Sequence, residues 1–270
     1  MNNIEKSYYV DMLKMLRQIK RDIDAEIVPV IRRNSSTTLD SVTAMDGWAD
    51  DVKAAIDRVR EKWTGKLAQL AMNKIASRYV KAAMGLHTRK MQRSFGVNLY
   101  GTSDRINQYL SAAADQNATL IKSIPAQYLD QVSNIVQGNM RQGMRPGYIV
   151  SALVEQFGVR ERHAKFIARD QTGKINGELD KLRQQDAGFE YFQWVTSHDE
   201  RVRHRHREIA DKVTAYGKGV YRWDNLPLSS DGTPIQPGSD FDCRCISRPV
   251  SREEVERNRR DGKTAPGVYR

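Results

Sequence analysis

Helical periodicity dominates the first two thirds of the chain and limits the folds open to it. Apolar residues recur at steps of three or four along residues 4–27 and again along residues 39–84, which is the spacing of one face of an α-helix. The pattern predicts a first helix that Pro29 stops and a long second stretch that Gly47 and Gly65 bend or divide. A core built mainly from packed helices is therefore expected here.

The middle of the chain repeats this pattern in shorter pieces. Residues 32–38 predict a polar connector, and residues 85–104, with three glycines, predict a turn and a short extended piece. Four helices are expected, with breaks at Pro125, at the sequence QGMRPG and at Gly158: residues 105–122, 125–141, 147–157 and 160–185. Residues 146–170 then have a helix-turn-helix layout, although an α-hairpin packed on a core is the commoner meaning of such a pattern.

The pattern changes after Gly188. Residues 189–196 alternate in the manner of a strand, a short helix is expected over 201–210, and a last strand is expected over 243–250. The tail at 251–270 begins as a helix. The chain is thus predicted to be α+β and predominantly α-helical, with long helices followed by a small α+β part that contains a short antiparallel sheet.

Composition narrows the class of protein. No run of about 18 apolar residues occurs, so no membrane span is expected, and the charged N-terminus lacks the features of a signal peptide. The protein is therefore expected to start in a cytoplasm. A net charge of +11 suggests either a phosphate backbone or an acidic protein as a partner, although a moderately basic surface on an ordinary soluble protein is an equally good interpretation.

Cys243 and Cys245 are the two cysteines of the chain. One intervening residue is too short a loop for an ordinary disulfide, whose Cα atoms lie about 4.4–6.8 Å apart in a specific geometry. On a strand, residues two apart point to one face. The pair therefore favours a metal site or two reduced thiols.

Three motifs follow one another in the C-terminal half. They are Ala168-Arg169-Asp170-Gln171-Thr172, then the segment from Trp194 to Arg203 followed by His206, then Pro237-Gly238 with Asp242-Cys243-Arg244-Cys245. Their order and spacing resemble the Mu F-like minor head proteins of tailed bacteriophages over about residues 140–250. The residues that carry the resemblance are Arg169, Trp194, Asp199, Arg201, Arg203, His206, Cys243, Arg244 and Cys245.

The resemblance implies a low-copy head component that acts in head morphogenesis near the portal and the DNA entry vertex. Its partners would be the portal and/or the major capsid protein, possibly packaged DNA, and no membrane. The location would be the virion, assembled in the host cytoplasm. The domains would be a helical partner-binding region at residues 1–100, the Mu F-like domain at 101–250 and a tail at 251–270. The resemblance implies no reaction.

The motif residues also have a direct physical interpretation. Asp199 is placed to cap the helix that follows it. Arg201 and Arg203 either pair with carboxylates inside the small domain or bind DNA phosphates or an acidic portal surface. The basic cluster at 201–207 would spread over all faces of a helix, so part of it is expected to face protein.

Four side chains suggest a zinc site: His206, Asp240, Cys243 and Cys245, with His204 as an alternative to Asp240. Some members of the resembling family have a Cys where this chain has Arg203, and a His where it has Asp240. These departures leave open a second interpretation, in which two buried thiols lie beside a hydrogen-bonded histidine.

Three functions compete at this stage. The first is a structural head protein, the second a non-specific DNA-binding virion protein, and the third a zinc-dependent hydrolase. No phosphate-binding glycine loop, no nucleophile elbow and no pair of histidines flanking a glutamate occurs in the sequence. The chain is therefore expected not to be an enzyme.

Overall fold

The computed structural model describes residues 2–33, 42–95, 103–142 and 144–265. Six helices precede the sheet in these ranges: α1 (Asn3–Glu26), α2 (Val28–Arg33), α3 (Val42–Thr64), α4 (Lys66–Phe95), α5 (Asp104–Arg141) and α6 (Pro146–Asp186). Shorter elements follow: β1 (Tyr191–Val195), α7 (His204–Asp211), β2 (Val213–Thr214), β3 (Gly217–Lys218), β4 (Val220–Arg222), β5 (Ile246–Val250) and α8 (Arg252–Arg260). The predicted class, α+β and mostly helical, is confirmed. Across the described ranges, no helix combines the length and apolarity needed to cross a bilayer.

Two compact units make up the chain. Unit 1 consists of Met1–Tyr79 with Ala114–Ala168, and unit 2 consists of Val80–Ala113 with Arg169–Arg270. The helices α4, α5 and α6 contribute residues to both units. The domain boundaries expected from the sequence, at residues 100 and 250, stay predictions.

The core of unit 1 includes the apolar face of α1 that the periodicity predicts. Asn2 caps this helix, accepting hydrogen bonds from the backbone N–H groups of Ile4 and Glu5. Tyr8 stacks on Tyr79 with 3.8 Å between ring centroids. The buried apolar residues of α1 are Tyr8, Met12, Leu13, Met15, Leu16, Ile19 and Ile23. They meet α2 and α3, and this burial is the main term that stabilises the helices.

The predicted breaks in the first half are partly confirmed. A break occurs before Pro29, which lies in the first turn of α2, where a missing N–H is tolerated. Gly65 divides α3 from α4, whereas Gly47 lies inside α3. Gly85 is helical, so the expected turn at this glycine is wrong. Residues 34–38 and the extended piece around 97–100 lie outside the described residues.

Pro125 does not separate two helices, because it lies inside α5. The proline removes the backbone donor that would pair with the carbonyl of Ile121, four residues earlier. Buried residues continue on both sides of the proline, including Ile121 and Leu129. Continuous burial therefore outweighs the local cost of the proline.

Gly158 does not end a helix either. It lies inside α6, and a Cβ atom built on it would meet only the guanidinium of Arg162, at 3.7 Å. A glycine inside a helix costs about 1 kcal/mol, which the burial of Leu153 and Ile167 on either side exceeds. The helix-turn-helix and α-hairpin interpretations of residues 146–170 are both wrong, because this segment is one uninterrupted helix.

Unit 2 is organised around a three-stranded antiparallel sheet with the order β4-β1-β5. Tyr191 faces Arg222 on one side and Val250 on the other. The buried side chains of Phe192 and Trp194 alternate along β1 with half-buried neighbours, as expected for a strand with one face on the core. The two predicted strands are confirmed in β1 and β5, except that the cysteines precede β5 rather than lying on it.

Asp22 links α1 to α3 and makes the stability of unit 1 depend on pH. Its carboxylate accepts hydrogen bonds from Lys62 Nζ at 2.9 Å and Trp63 Nε1 at 2.8 Å. Burial raises the pKa of Asp22, but these hydrogen bonds and the charge of Lys62 lower it, and the net pKa lies below its ordinary value. The stabilisation is therefore present above the pKa of the unfolded chain and is lost as pH falls through the folded value.

We predict that Asp22→Asn lowers the stability of unit 1 on the order of 1–2 kcal/mol at pH 7, and that the difference from the wild type shrinks as pH falls from 5 towards 2. Hydrogen exchange of peptides from α1 and α3 measures this difference. Asp24→Asn is the control, because Asp24 pairs with Lys20 at the surface and such pairs contribute little. An Asp22→Asn difference that does not change with pH contradicts the prediction.

Candidate metal centre

The three sequence motifs, from Arg169 onward, lie in unit 2. The first lies in the second half of α6, the second follows β1 and leads into α7, and the third is the loop that enters β5. Each supplies side chains or backbone to the cluster described below. The order of the motifs along the chain therefore reflects one folded arrangement.

His206, Cys243 and Cys245 form a buried cluster of possible metal ligands. His206 lies in the first turn of α7, and its Nδ1 atom is 3.7 Å from Cys243 Sγ and 3.6 Å from Cys245 Sγ. One donor atom from each residue lies within 4.8 Å of the other two. All three residues are at most 6% exposed. Three of the four predicted donors therefore come together.

Asp240 lies on the opposite side of the imidazole. Its Oδ2 atom is 3.3 Å from His206 Nε2, the ring nitrogen that faces away from the sulfurs. Arg203 approaches Asp240 at 3.4 Å and donates to the carbonyl of Phe241 at 2.6 Å. The alternative residue, His204, is exposed and lies 3.3 Å from Glu208. Neither Asp240 nor His204 thus joins the three-donor cluster.

The two thiols share their protons unequally. The hydrogen bond with Cys245 lowers the pKa of Cys243, although burial opposes it. The same hydrogen bond with Cys243, together with burial, raises the pKa of Cys245. The pair therefore favours one thiolate and one thiol, because two adjacent negative charges repel each other in a buried site.

Aromatic side chains surround the cluster of His206, Cys243 and Cys245. The cysteines belong to the buried core that includes Phe192, Trp194 and Trp223. The rings of Trp194 and His206 meet in an edge-to-face arrangement with 5.2 Å between centroids, and Phe192 stacks on Trp223 at 4.0 Å. These rings keep bulk water from the sulfur atoms and fix the orientation of the imidazole.

Asp199 and Arg244 connect the second motif to the third. Both guanidinium Nη atoms donate to the carboxylate, at 2.5 and 2.7 Å, in a bidentate pair. These bonds from Arg244 lower the pKa of Asp199. The expected capping role is wrong, because the N-cap position of α7 is Arg203, which makes no side-chain cap. Asp199 instead accepts from the backbone N–H of Arg201, whose side chain is exposed.

The first motif holds the loop at the residue before Cys243. Arg169 Nε lies 2.6 Å from Asp242 Oδ1. The backbone N–H of Asp242 donates to Asp170 at 3.0 Å, and Lys174 pairs with Asp170 at 2.8 Å. Asp242 has a φ of 50°, a conformation that costs energy for a residue with a side chain. These contacts therefore hold the loop in a strained conformation next to the sulfurs.

Gly173 and Gly177, which lie outside the three motifs, let the loop approach α6 closely. A Cβ atom on Gly177 would lie 2.3 Å from the carbonyl oxygen of Pro237, and one on Gly238 would lie 2.8 Å from that of Gly173. Gly173 and Gly177 are four residues apart and share a helix face. That spacing is the signal that would have revealed this close approach of two backbones.

Comparison with known proteins agrees with the motifs. Residues 130–248 match the family model described as phage Mu protein F like protein. Residues 130–248, which are less than half of the chain, are thus similar to this family, and the match supports a relation to phage head proteins.

One curated relative is an uncharacterized protein of Haemophilus influenzae. It is 35% identical over 158 residues, which cover 58% of this chain and 33% of the relative. The chain thus spans about a third of the length of that relative. No solved structure matches the chain significantly.

Close packing at Gly177 gives a stability prediction. Gly177→Ala is expected to destabilise unit 2 by about 1–3 kcal/mol, because the new methyl group displaces the loop at Pro237. Gly158→Ala, in the same helix, is the matched control and should stabilise the chain by up to about 1 kcal/mol. Urea unfolding and hydrogen exchange of the 236–245 loop measure both effects. Equal behaviour of the two variants would show that the close contact is absent.

Proposed function

We propose that the chain is a minor structural protein of a tailed-phage head, which takes part in head morphogenesis close to the portal and the DNA path. The observation that carries the proposal is the Mu F-like match at residues 130–248, whose motif residues from Arg169 onward lie in one unit. The proposed partners are the portal and/or the major capsid protein. The proposed location is the virion.

The way unit 2 uses its arginines supports a structural role. Arg169, Arg203 and Arg244 each pair with an aspartate inside the unit. Arg205 donates to the carbonyl of Leu228 and Arg207 to that of Glu200. These contacts hold loops together within the domain. They favour the interpretation in which the motif builds a framework over the one in which it binds DNA phosphates.

An exposed apolar stripe on α6 supports a protein partner for unit 1. Tyr148, Val159 and Phe166 fall on one face at helical spacing, and they are 63%, 41% and 41% exposed. The exposed residues Glu155 and Arg162 lie between them on this face, which gives it the mixed apolar and charged character of non-obligate protein interfaces. The stripe is therefore the surface that we assign to contact with a head protein.

The proposal is tested by the composition of particles from the phage or prophage that encodes this chain. We predict that an epitope-tagged full-length chain co-purifies with procapsids and mature heads at low copy number, and that cross-linking joins it to the portal or the major capsid protein. Mass spectrometry of purified particles measures both results. Absence of the chain from procapsids and heads would refute the proposal.

A pair of substitutions tests the stripe. Tyr148→Asp should reduce incorporation into procapsids several-fold, because it places a charge on the proposed contact. Val154→Asp is the matched control, since Val154 is 54% exposed on a different face of the same helix. Circular dichroism verifies that both variants fold. Equal incorporation of the two variants would remove the stripe as the contact surface.

DNA binding is a separate outcome of the same preparation. The net charge of +11 motivates the measurement. A steep fall in affinity for duplex DNA with added salt would indicate phosphate contacts, and would favour a DNA-binding virion protein. No binding at about 50 mM salt would leave the head proteins as the partners.

A further inference from the structure

We propose that His206, Cys243 and Cys245 bind one zinc ion, with Asp240 as the residue that positions His206. The family match and the relative assign no metal to the chain, so this proposal goes beyond the head-protein function. It rests on four features of unit 2, which are the donor set, the tautomer of the histidine, the rigidity of the elements that carry the donors, and their burial.

The donor set fits zinc. Thiolate and imidazole are the ligands that zinc uses most often in proteins. The Nδ1 atom of His206 has one lone pair, and it lies at nearly equal distances from both sulfurs, 3.6 and 3.7 Å. One lone pair accepts a single S–H hydrogen bond well. Two sulfurs placed alike around it are better explained by a shared ion that all three atoms bind.

Asp240 selects the tautomer that such an ion requires. A carboxylate accepts, so the ring nitrogen that faces it, Nε2 at 3.3 Å, carries the hydrogen in the neutral ring. The lone pair is then on Nδ1 and faces the sulfurs. A histidine that binds zinc with one nitrogen commonly donates to a carboxylate with the other. Asp240 therefore acts through His206, which corrects its expected place among the ligands.

Asp240 is itself held in place. Arg203 lies 3.4 Å from the carboxylate and also donates to the carbonyl of Phe241. Arg203 and Asp240 form an ion pair behind the histidine. This ion pair holds the Asp240 carboxylate against Nε2 of His206.

The donors are carried by rigid elements before any ion binds. Cys243 follows Asp242, which Arg169 and Asp170 hold, and the preceding loop is pressed against the glycine face of α6. His206 lies in α7 beside Trp194. Preorganised donors lose little conformational entropy on binding. The ion would connect α7 to the loop, and it would therefore act as a structural link.

The fourth coordination position is left for a water molecule. Within the described ranges, the three residues are the ones whose donor atoms converge. A zinc site with three protein ligands keeps one position open. The burial of the three residues makes that position poorly accessible to bulk water.

Metal analysis of the full-length chain tests the proposal directly. Protein purified under reducing conditions should contain about one zinc ion per chain, and cobalt substituted for zinc should give thiolate-to-metal charge-transfer absorption. His206→Gln and Cys245→Ser should lose the metal. His204→Gln is the matched control, since His204 is exposed on the same helix, and it should keep the metal. Reduced wild-type protein that neither contains nor takes up zinc would overturn the proposal.

The variant Asp240→Asn tests whether Asp240 positions His206 or binds the ion itself. The test does not require the cysteine variants to fold. The variant should retain the cobalt charge-transfer bands and bind zinc about 10–100-fold more weakly in competition with a chromophoric chelator. Unchanged affinity would remove Asp240 from the proposal, and altered cobalt bands would make it a ligand.

Hydrogen exchange with and without a chelator measures how far the fold depends on the ion. Removing zinc from the wild type should speed hydrogen exchange in α7 and in residues 236–245, and should leave α1 and α3 unchanged. Identical exchange with and without chelator in a zinc-containing sample would contradict a structural role for the ion.

Discussion

The close approach of two backbones, the α6 helix and the loop around Pro237, is the constraint on which the rest of unit 2 depends. Gly173 and Gly177 lack side chains where the loop crosses the helix, and Gly238 lacks one in return. Any Cβ atom at Gly177 would overlap the carbonyl of Pro237. Because the loop lies this close, Asp242 reaches Arg169 and Asp170, and the cysteines reach His206.

Ion pairs fix the relative positions of the loops in unit 2. Asp199 with Arg244 and Asp242 with Arg169 join segments far apart in the sequence. Exposed ion pairs contribute little free energy individually. Their main effect here is to set the relative orientation of the segments that they join. A bidentate pair allows one relative orientation of its two segments. The charged residues of the motif are therefore best understood as connections between loops.

The class of fold and the residues of the His206, Cys243 and Cys245 cluster follow from the sequence more closely than the lengths of the helices do. Periodicity identified the buried face of α1, and the alternation in β1 identified its strand. The sequence predicts helix breaks at Pro125 and Gly158, but both residues lie inside helices, α5 and α6. Rules based on single residues do not include the burial of neighbouring side chains that stabilises these helices. Whether burial outweighs the low helix propensity of proline or glycine depends on tertiary structure.

Proximity in the site was predictable only in part. The motif brought His206, Cys243 and Cys245 into one hypothesis, and the structure places them together. The side of the imidazole that Asp240 occupies is set by the path of the loop, which one sequence does not reveal. For the same reason the glycine contact was missed, although Gly173 and Gly177 show the spacing of one helix face.

The long separation of these contacts along the chain has a kinetic consequence. Asp170 and Asp242 are 72 residues apart, and His206 and Cys243 are 37 residues apart. Closing such loops costs chain entropy before any contact is gained, so these contacts are expected to form late in folding. Interactions that form after the transition state change the rate of unfolding far more than the rate of folding. The loop that carries the cysteines is thus expected to govern how long unit 2 stays folded, while the helices, whose contacts are local, are expected to govern how fast it folds.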